Sequence, residues 1–456
     1  MNLIYGIHDR PRFGQVLLFA LQQLLAILAA TIAVPSIVGN GMSQSAALFG
    51  AGVGTIIYLL FTRFRSPVFL GSSFAFLGSM FAAFAGAVSV EAGYVGLIIG
   101  AFFAMIVYIA IAIAVKFAGV RWVNYLMPPV VIGPTVAIIG LSLAGNAIGD
   151  SLAGGFDADA GAYIMTPHLW VSFICAMVTF FVVIIVSVFG KKMMKLIPFI
   201  IGIVAGYIVA TIFTLIGNAS GNEALQIIDF SAFSNMKWMP DFTFLTAIKG
   251  LPDISGKYIA TIAVAYIPVA FVVFAEHIAD HKNLSTIVGQ DLLVDPGLHR
   301  TILGDGVGSF VGALFGGCPN TTYGESIGCV AITKNASIVT ILTTAIIAIV
   351  ISFFGPFVTF LSTIPGCVMG GVCITLYGFI AVSGLKMLQP VDLNDNRNLF
   401  TASAILIAGI GGMVLKIGDV TLTEIACALI LGIIVNLILR KRGKAAEAET
   451  EAEKQE

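Results

Sequence analysis

PNTTYGESIG, residues 319–328, is the stretch on which the fold turns. Pro319-Asn320 breaks any helix that reaches it, because proline has no amide donor and clashes with the preceding turn. Thr321, Thr322 and Tyr323 are β-branched or aromatic and suit a short extended piece. Gly324 then allows close backbone approach, and a short helix can begin at Glu325. In a soluble protein this would read as a surface loop. The rest of the chain excludes that setting: hydrophobic residues make up 58% and charged ones only 10%, where soluble domains carry roughly a quarter charged. A soluble enzyme of 456 residues could not cover its surface with so few charges. The chain reads as an all-α polytopic membrane protein. In lipid every backbone N–H and C=O must be satisfied internally, so a non-helical piece at membrane depth must be buried or line a cavity.

A second broken segment lies in the first half. Leu70-Gly71 followed by Ser72–Phe76 echoes the Thr321–Glu325 run, in a stretch, 66–90, without charges. Another pair matches independently: MPPVVIGPTVAIIGLSLAG from Met127 and IPGCVMGGVCITLYGFIAVSG from Ile364, with Pro128 against Pro365 and Gly133 against Gly370. Both offsets are about 240 residues, or seven spans, and an odd number of spans per copy inverts the second copy in the membrane. Two short strands, one from each copy, would pair antiparallel across the pseudo-twofold axis. The two half-helices that follow would aim their N-terminal amides into one mid-membrane cavity.

Runs of about 20 apolar residues give fourteen candidate spans. They lie near 14–37, 45–62, 67–86, 92–115, 124–146, 169–189, 194–216, 258–279, 300–317, 320–335, 337–354, 358–384, 398–415 and 421–439. The third and tenth are the broken ones. Alternation from a cytoplasmic N-terminus leaves only Lys237, Lys249, Lys257 and Lys416 of the 23 Lys and Arg on the external side. That asymmetry is the positive-inside pattern, with both termini cytoplasmic. The lead 1–13 has no signal-peptide pattern and reads as a short cytoplasmic approach to the first span. Lys+Arg at 23 against Asp+Glu at 24 offers no basic field for nucleic acid. Six cysteines and five histidines show no metal spacing, no nucleophile–base constellation appears, and neither a cofactor nor an enzymatic reaction is expected.

Ionisable residues inside spans default to function. Glu325 stands at the start of the second half-helix. Glu276 ends the apolar run VAYIPVAFVVFAEH, with Asp280 and His281 following. Hydropathy alone leaves Glu276 open as a residue snorkelling to the cytoplasmic face, and leaves Asp305 and Glu91 open as structural. Glu276 and Asp280 are i,i+4 and share a helical face; two such carboxyls in a low dielectric resist double ionisation. His277 points elsewhere on that helix. These groups suit proton coupling.

AEHIADH around Glu276, DPGLHR at 295–300, PNTTYGESIG and GSSFAF at 71–76 resemble the nucleobase–ascorbate transporter family, and within it the bacterial uracil permeases. The resemblance implies fourteen spans in a seven-plus-seven inverted repeat in a bacterial plasma membrane. It implies a core domain (14–118 and 251–354) moving against a gate domain (119–250 and 355–439), between the lead 1–13 and a cytoplasmic tail 440–456. It places the base against the side chains of Glu276 and Glu325 and the backbone N–H groups of Phe74 and Gly324, with Ala30, Tyr323 and Tyr377 lining the site. Proton coupling falls to Glu276, Asp280, Glu325 and His281, and a homodimer is expected. The implied function is proton-driven uracil uptake. A xanthine or uric acid permease of the same family is the alternative, and a sulfate-permease-type anion carrier a more distant one. Two positions depart from the family pattern: Ser326 stands where Asn is usual, and Asp280 where uracil permeases carry His.

Overall fold

The computed structural model describes residues 3–119, 121–191, 194–195, 197–417 and 420–453. Lys192 and Lys454, counted above among the cytoplasmic charges, lie outside the described residues, as do the first residues of the lead and the last of the tail. The first half contains α1 (Phe13–Val38), α2 (Gln44–Phe61), strand β1 (Leu70–Ser72), α3 (Leu77–Ala85), α4 (Val90–Ala118), α5 (Arg121–Leu126), α6 (Pro129–Ser142), α7 (Ala144–Ser151), the small hairpin β2 (Phe156–Asp157) and β3 (Ala162–Tyr163), α8 (Pro167–Phe189) and α9 (Pro198–Ser220). After α10 (Thr243–Gly250), the second half contains α11 (Gly256–Val288), α12 (Leu298–Gly316), β4 (Asn320–Thr322), α13 (Gly324–Thr333), α14 (Ile338–Ile351), α15 (Gly355–Ser362), α16 (Gly366–Lys386), α17 (Asn396–Ile410), the hairpin β5 (Leu415–Ile417) and β6 (Val420–Leu422), and α18 (Glu424–Glu453).

Every one of the fourteen apolar runs contains a helix. Among the described residues, eight helices are long and apolar enough to cross a bilayer, and a ninth crossing arises if α14 and α15, bent by 82°, are one span. This is a multi-pass membrane protein. The shorter helices have local causes. α12 is rich in glycine and carries Asp305 and Arg300. The run 358–384 divides at Thr363–Pro365: its first turns belong to the bent pair, and Pro365 starts α16 as its N-cap. Pro128 does the same for α6, so the two prolines matched in the sequence occupy the same structural position. Proline suits that place, since the amide it lacks has no partner in a first turn.

The two broken segments meet. β1 and β4 pair antiparallel, Leu70 with Thr322, Gly71 with Thr321 and Ser72 with Asn320. Ser73 N donates to Pro319 O at 2.8 Å and Tyr323 N to Phe69 O at 3.3 Å, extending the ladder at both ends. Strand and half-helix lie slightly earlier than the sequence pattern implies. Ser72 still belongs to the strand, and a tight turn over Phe74–Phe76 already starts the first half-helix, which continues as α3. The structural counterpart of Phe74 is therefore Gly324, the first residue of α13.

Small residues let the helices behind this crossing touch backbone to backbone. A Cβ added at Gly54 of α2 would lie 2.7 Å from Gly308 O of α12, and one at Gly308 would lie 2.7 Å from Gly54 O. Asn320 plugs the seam, its Nδ2 donating to Gly50 O at 3.1 Å. α6 and α16 meet in the same manner through Gly133 and Gly384. At one end of the molecule Arg65 pairs with Asp295 at 2.7 Å, and the lead 3–9 lies along the loop after α13. At the other end Ser89 bonds Asp253, and the rings of Phe49, Phe242, Phe315 and Phe353 cluster. Loops assigned by charge to one side thus meet one another. All six cysteines are buried free thiols.

Candidate functional site

The crossing strands deliver two half-helices to one place. Their N-caps, Ser73 and Tyr323, are both extended and neither side chain caps the helix. The first amide hydrogens of each half-helix are therefore available to a ligand. In front of them lies a cavity of about 590 Å³, within the usual range for a small-molecule site. Phe74, Tyr323, Gly324 and Glu325 line it from the half-helix starts, and Glu276 and Asp280 line it from successive turns of α11. Gly324 has nothing within 4 Å of where a Cβ would stand, so its backbone faces open space.

The supporting bonds explain how this irregular backbone is held. Thr322 Oγ1 of β4 donates to Asp280 Oδ2 at 2.7 Å. Asp280 thus ties the crossing strand to α11. Tyr323 Oη donates to Ser72 O at 2.6 Å, and its ring lies where a methyl at Gly71 would strike it. Ser326 accepts from Phe69 N at 3.0 Å and is bonded by the Gln23 amide of α1. Gln23 is buried. In the sequence only its position in the middle of an apolar span marks it.

Three expected site residues do not face the cavity. Its lining stops at Ala26 on α1, Ile139 on α6 and Leu376 on α16. Ala30 lies one turn further along α1, and Tyr377, next to Leu376 on α16, is not among the lining residues; both are buried. Tyr377 sets its ring edge-on against Phe74, with centroids 6.2 Å apart. His281 turns away into the protein: its Nε2 is 2.7 Å from Tyr58 Oη and 3.2 Å from Ser66 Oγ. It stacks on His277 at 4.0 Å. His277 Nδ1 lies 2.8 Å from Asp305 Oδ2, and its Nε2 lies 2.9 Å from Thr301 Oγ1. His277, His281 and Asp305 therefore form one buried network behind the cavity, and Asp305 has a structural partner. Glu91 sits in the first turn of α4 and is not among the residues that line the cavity.

The cavity continues past the carboxyls to Ser187, Lys195, Ile332, Ser383 and Met387, which stand at the ends of α8, α13 and α16 and in the loop before α9. Lys195 thus brings a cation to the mouth of a cavity holding three carboxyls, a role that the positive-inside count does not reveal. Among the described residues no cluster of three His, Cys, Asp or Glu side chains has metal-binding geometry. Chemically, the arrangement offers acceptors on side chains, donors on backbone and an aromatic residue between them. It suits a small neutral ring with alternating N–H and C=O groups.

The Permease family model matches residues 14–418. The uracil permease of Bacillus caldolyticus is 42% identical over 97% of this chain and 96% of its own length. Those of Bacillus subtilis (strain 168) and Escherichia coli (strain K12) are 38% and 35% identical over 98% and 95% of this chain and 97% and 94% of their own. In fold, the chain is similar to the transmembrane domain of the cyanobacterial bicarbonate transporter BicA (TM-score 0.61, 15% identity, 96% of this chain and 99% of that one). It is also similar to the murine anion transporter Slc26a9 in its inward-facing state (TM-score 0.67, 13% identity, 95% and 70%). The chain belongs to the permease family, a family of membrane transporters rather than enzymes.

Proposed function

We propose that this chain takes up uracil across a bacterial plasma membrane, driven by protons, by alternating access. The full-length similarity to three uracil permeases supports the substrate. The observation that carries the reading is the meeting of Glu276, Glu325 and the uncapped start of α13 in one cavity. A pyrimidinedione has two N–H donors and two carbonyl acceptors. Glu276 and Glu325 accept from the former, the amides of Phe74 and Gly324 donate to the latter, and Tyr323 with Phe74 covers the ring. A site built for such bonds rejects rings that lack them. Glu276, Asp280 and Glu325 are the groups that take and release the coupled proton. Buried His281 acts only through the wall behind them.

The chain then has fourteen spans in a seven-plus-seven inverted repeat, with both termini cytoplasmic. The core (14–118 and 251–354) moves against the gate (119–250 and 355–439), between the lead 1–13 and the tail 440–456. With that orientation the cavity mouth at Lys195 and Met387 opens to the cytoplasm, and the Phe74–Tyr377 contact closes the outer side. Relatives in fold transport anions, and an anion carrier is the competing reading. Three carboxyls in the cavity oppose it, since they repel an anion at short range. Lipid surrounds the apolar helices, and a homodimer through the gate remains part of the proposal.

The test is uptake of labelled uracil in cells or vesicles at two pH values, competed by xanthine and uric acid. Uracil uptake that rises with an inward proton gradient and resists xanthine supports the reading. Competition by xanthine at equal concentration shifts it to a purine permease. Uptake of bicarbonate or sulfate in place of uracil overturns it.

A further inference from the structure

We propose that the N-terminal segment Ile4–Asp9 is a positioning strap for the half-helix that carries Glu325, with Ile7 as its anchor. α13 is only 10 residues long, so its first turn, at the cavity, and its last turn, at the protein end, cannot move independently. That last turn ends at Lys334 in a left-handed conformation (φ 55°). The final carbonyls of a helix need partners from outside, and the strap supplies one for the carbonyl of the C-cap, Lys334. Ile4 N and Tyr5 N donate to Lys334 O at 2.8 and 3.3 Å. The pairing then continues beside the loop. Ala336 N donates to Tyr5 O at 2.9 Å, Ile338 N to Ile7 O at 3.0 Å, and Ser337 Oγ to Asp9 O at 2.6 Å. The strap's own turn is shaped by Gly6 N donating to Asp9 Oδ2 at 2.7 Å.

Packing repeats what the hydrogen bonds do. Ile7 is buried, and it belongs to one apolar cluster with Ile327 and Val330 of α13, Val68 of the approach to β1 and Leu70 of β1 itself. It therefore touches the same body that holds both the half-helix and the crossing strand. Tyr5 Oη donates to Gln15 Oε1 at 2.9 Å, and its ring meets Phe19 edge-on at 6.1 Å, so the strap is also fixed to α1. Through Gln23 and Ser326, α1 grips the other end of α13. A segment whose sequence reads as a solvated lead is thus part of the frame around Glu325. Binding geometry depends on such supporting contacts to within a fraction of an ångström.

The test is amide hydrogen exchange on the purified full chain without ligand, run beside uracil binding, for the parent, Ile7→Val, Ile7→Ala and a deletion of residues 2–9. Exchange across 324–333 is expected to quicken in Ile7→Ala and in the deletion, and to stay unchanged in the helix 366–386. Uracil binding is expected to weaken about two- to thirtyfold, the range that a packed neighbour transmits to a site, and Ile7→Val restores both. Should the deletion not fold, Ser337→Ala, which removes the bond to the Asp9 carbonyl, replaces it. A lower melting temperature with parental exchange across 324–333 and parental affinity overturns the proposal. The affinity arm rests on Glu325 holding the base. A parent that does not bind uracil sinks that reading, while the exchange arm still decides on the strap.

Discussion

The two crossing segments share a backbone and differ in chemistry. In the first copy, β1 leads through Ser73 into a half-helix that begins Phe74-Ala75-Phe76 and carries no charge. In the second, β4 leads through Tyr323 into one that begins Gly324-Glu325-Ser326. Gly71 and Thr321, equivalent by position, face each other at the centre of the ladder. The first copy supplies an aromatic ring and an amide. The second supplies an open backbone, a carboxyl and the tether to α11 through Thr322. The antiparallel crossing of the two segments thus builds a frame that satisfies its own irregular backbone. Side chains that break the symmetry decide what the frame holds.

The sharpest way to break the comparison is to remove the charge that only one copy has. Glu325→Gln is expected to weaken uracil binding about 100-fold, as for loss of charged hydrogen bonds in a dry site, with expression intact; calorimetry that finds parental affinity contradicts the site. Two glycines come next. Gly71→Ala drives a methyl into the Tyr323 ring and should cost about 1–3 kcal/mol of stability by overpacking, read as a lower melting temperature. Gly324→Ala meets no atom within 4 Å, so it should leave the melting temperature unchanged while weakening binding, because its methyl enters the cavity.

The tether gives a finer cut. Thr322→Val removes the donor to Asp280, and should cost about 1–3 kcal/mol by leaving a carboxylate oxygen unsatisfied. Asp280→Asn keeps an acceptor for Thr322 and removes the proton site, so it should change the pH profile of uptake more than uracil affinity at low pH. A parental pH profile in Asp280→Asn assigns coupling to Glu276 and Glu325 alone. The smallest effect on transport is expected from His281→Gln. Its ring faces Tyr58 and Ser66 rather than the cavity, so stability should fall while the pH profile of uptake holds.

How much of this was legible varied with the kind of signal. The crossing strands showed in the sequence because Pro319, Gly71 and the β-branched pair Thr321-Thr322 leave few conformations open. Their register was displaced because nothing in Ser72–Phe76 says where helix resumes; a turn at Phe74 settles it. Span content was readable from hydropathy, but the 82° bend between α14 and α15 was not, since both sides of it are apolar. Glu276, Asp280 and Glu325 stood out as charges in apolar runs, and all three line the cavity. Gln23, Lys195 and the strap did not stand out. Their roles arise from contacts between distant parts of the chain, and a polar lead or a basic loop residue has a simpler explanation until those contacts are seen.

The glycine seam between α2 and α12 has a consequence for motion. Where interlocking side chains meet, helices can slip by trading one set of rotamers for another. Between Gly54 and Gly308 there are no rotamers to trade, only carbonyls resting against α-carbons. A side chain at either position would force the two helices apart, so the close seam is expected to carry α2 and α12 as one piece through a transport cycle.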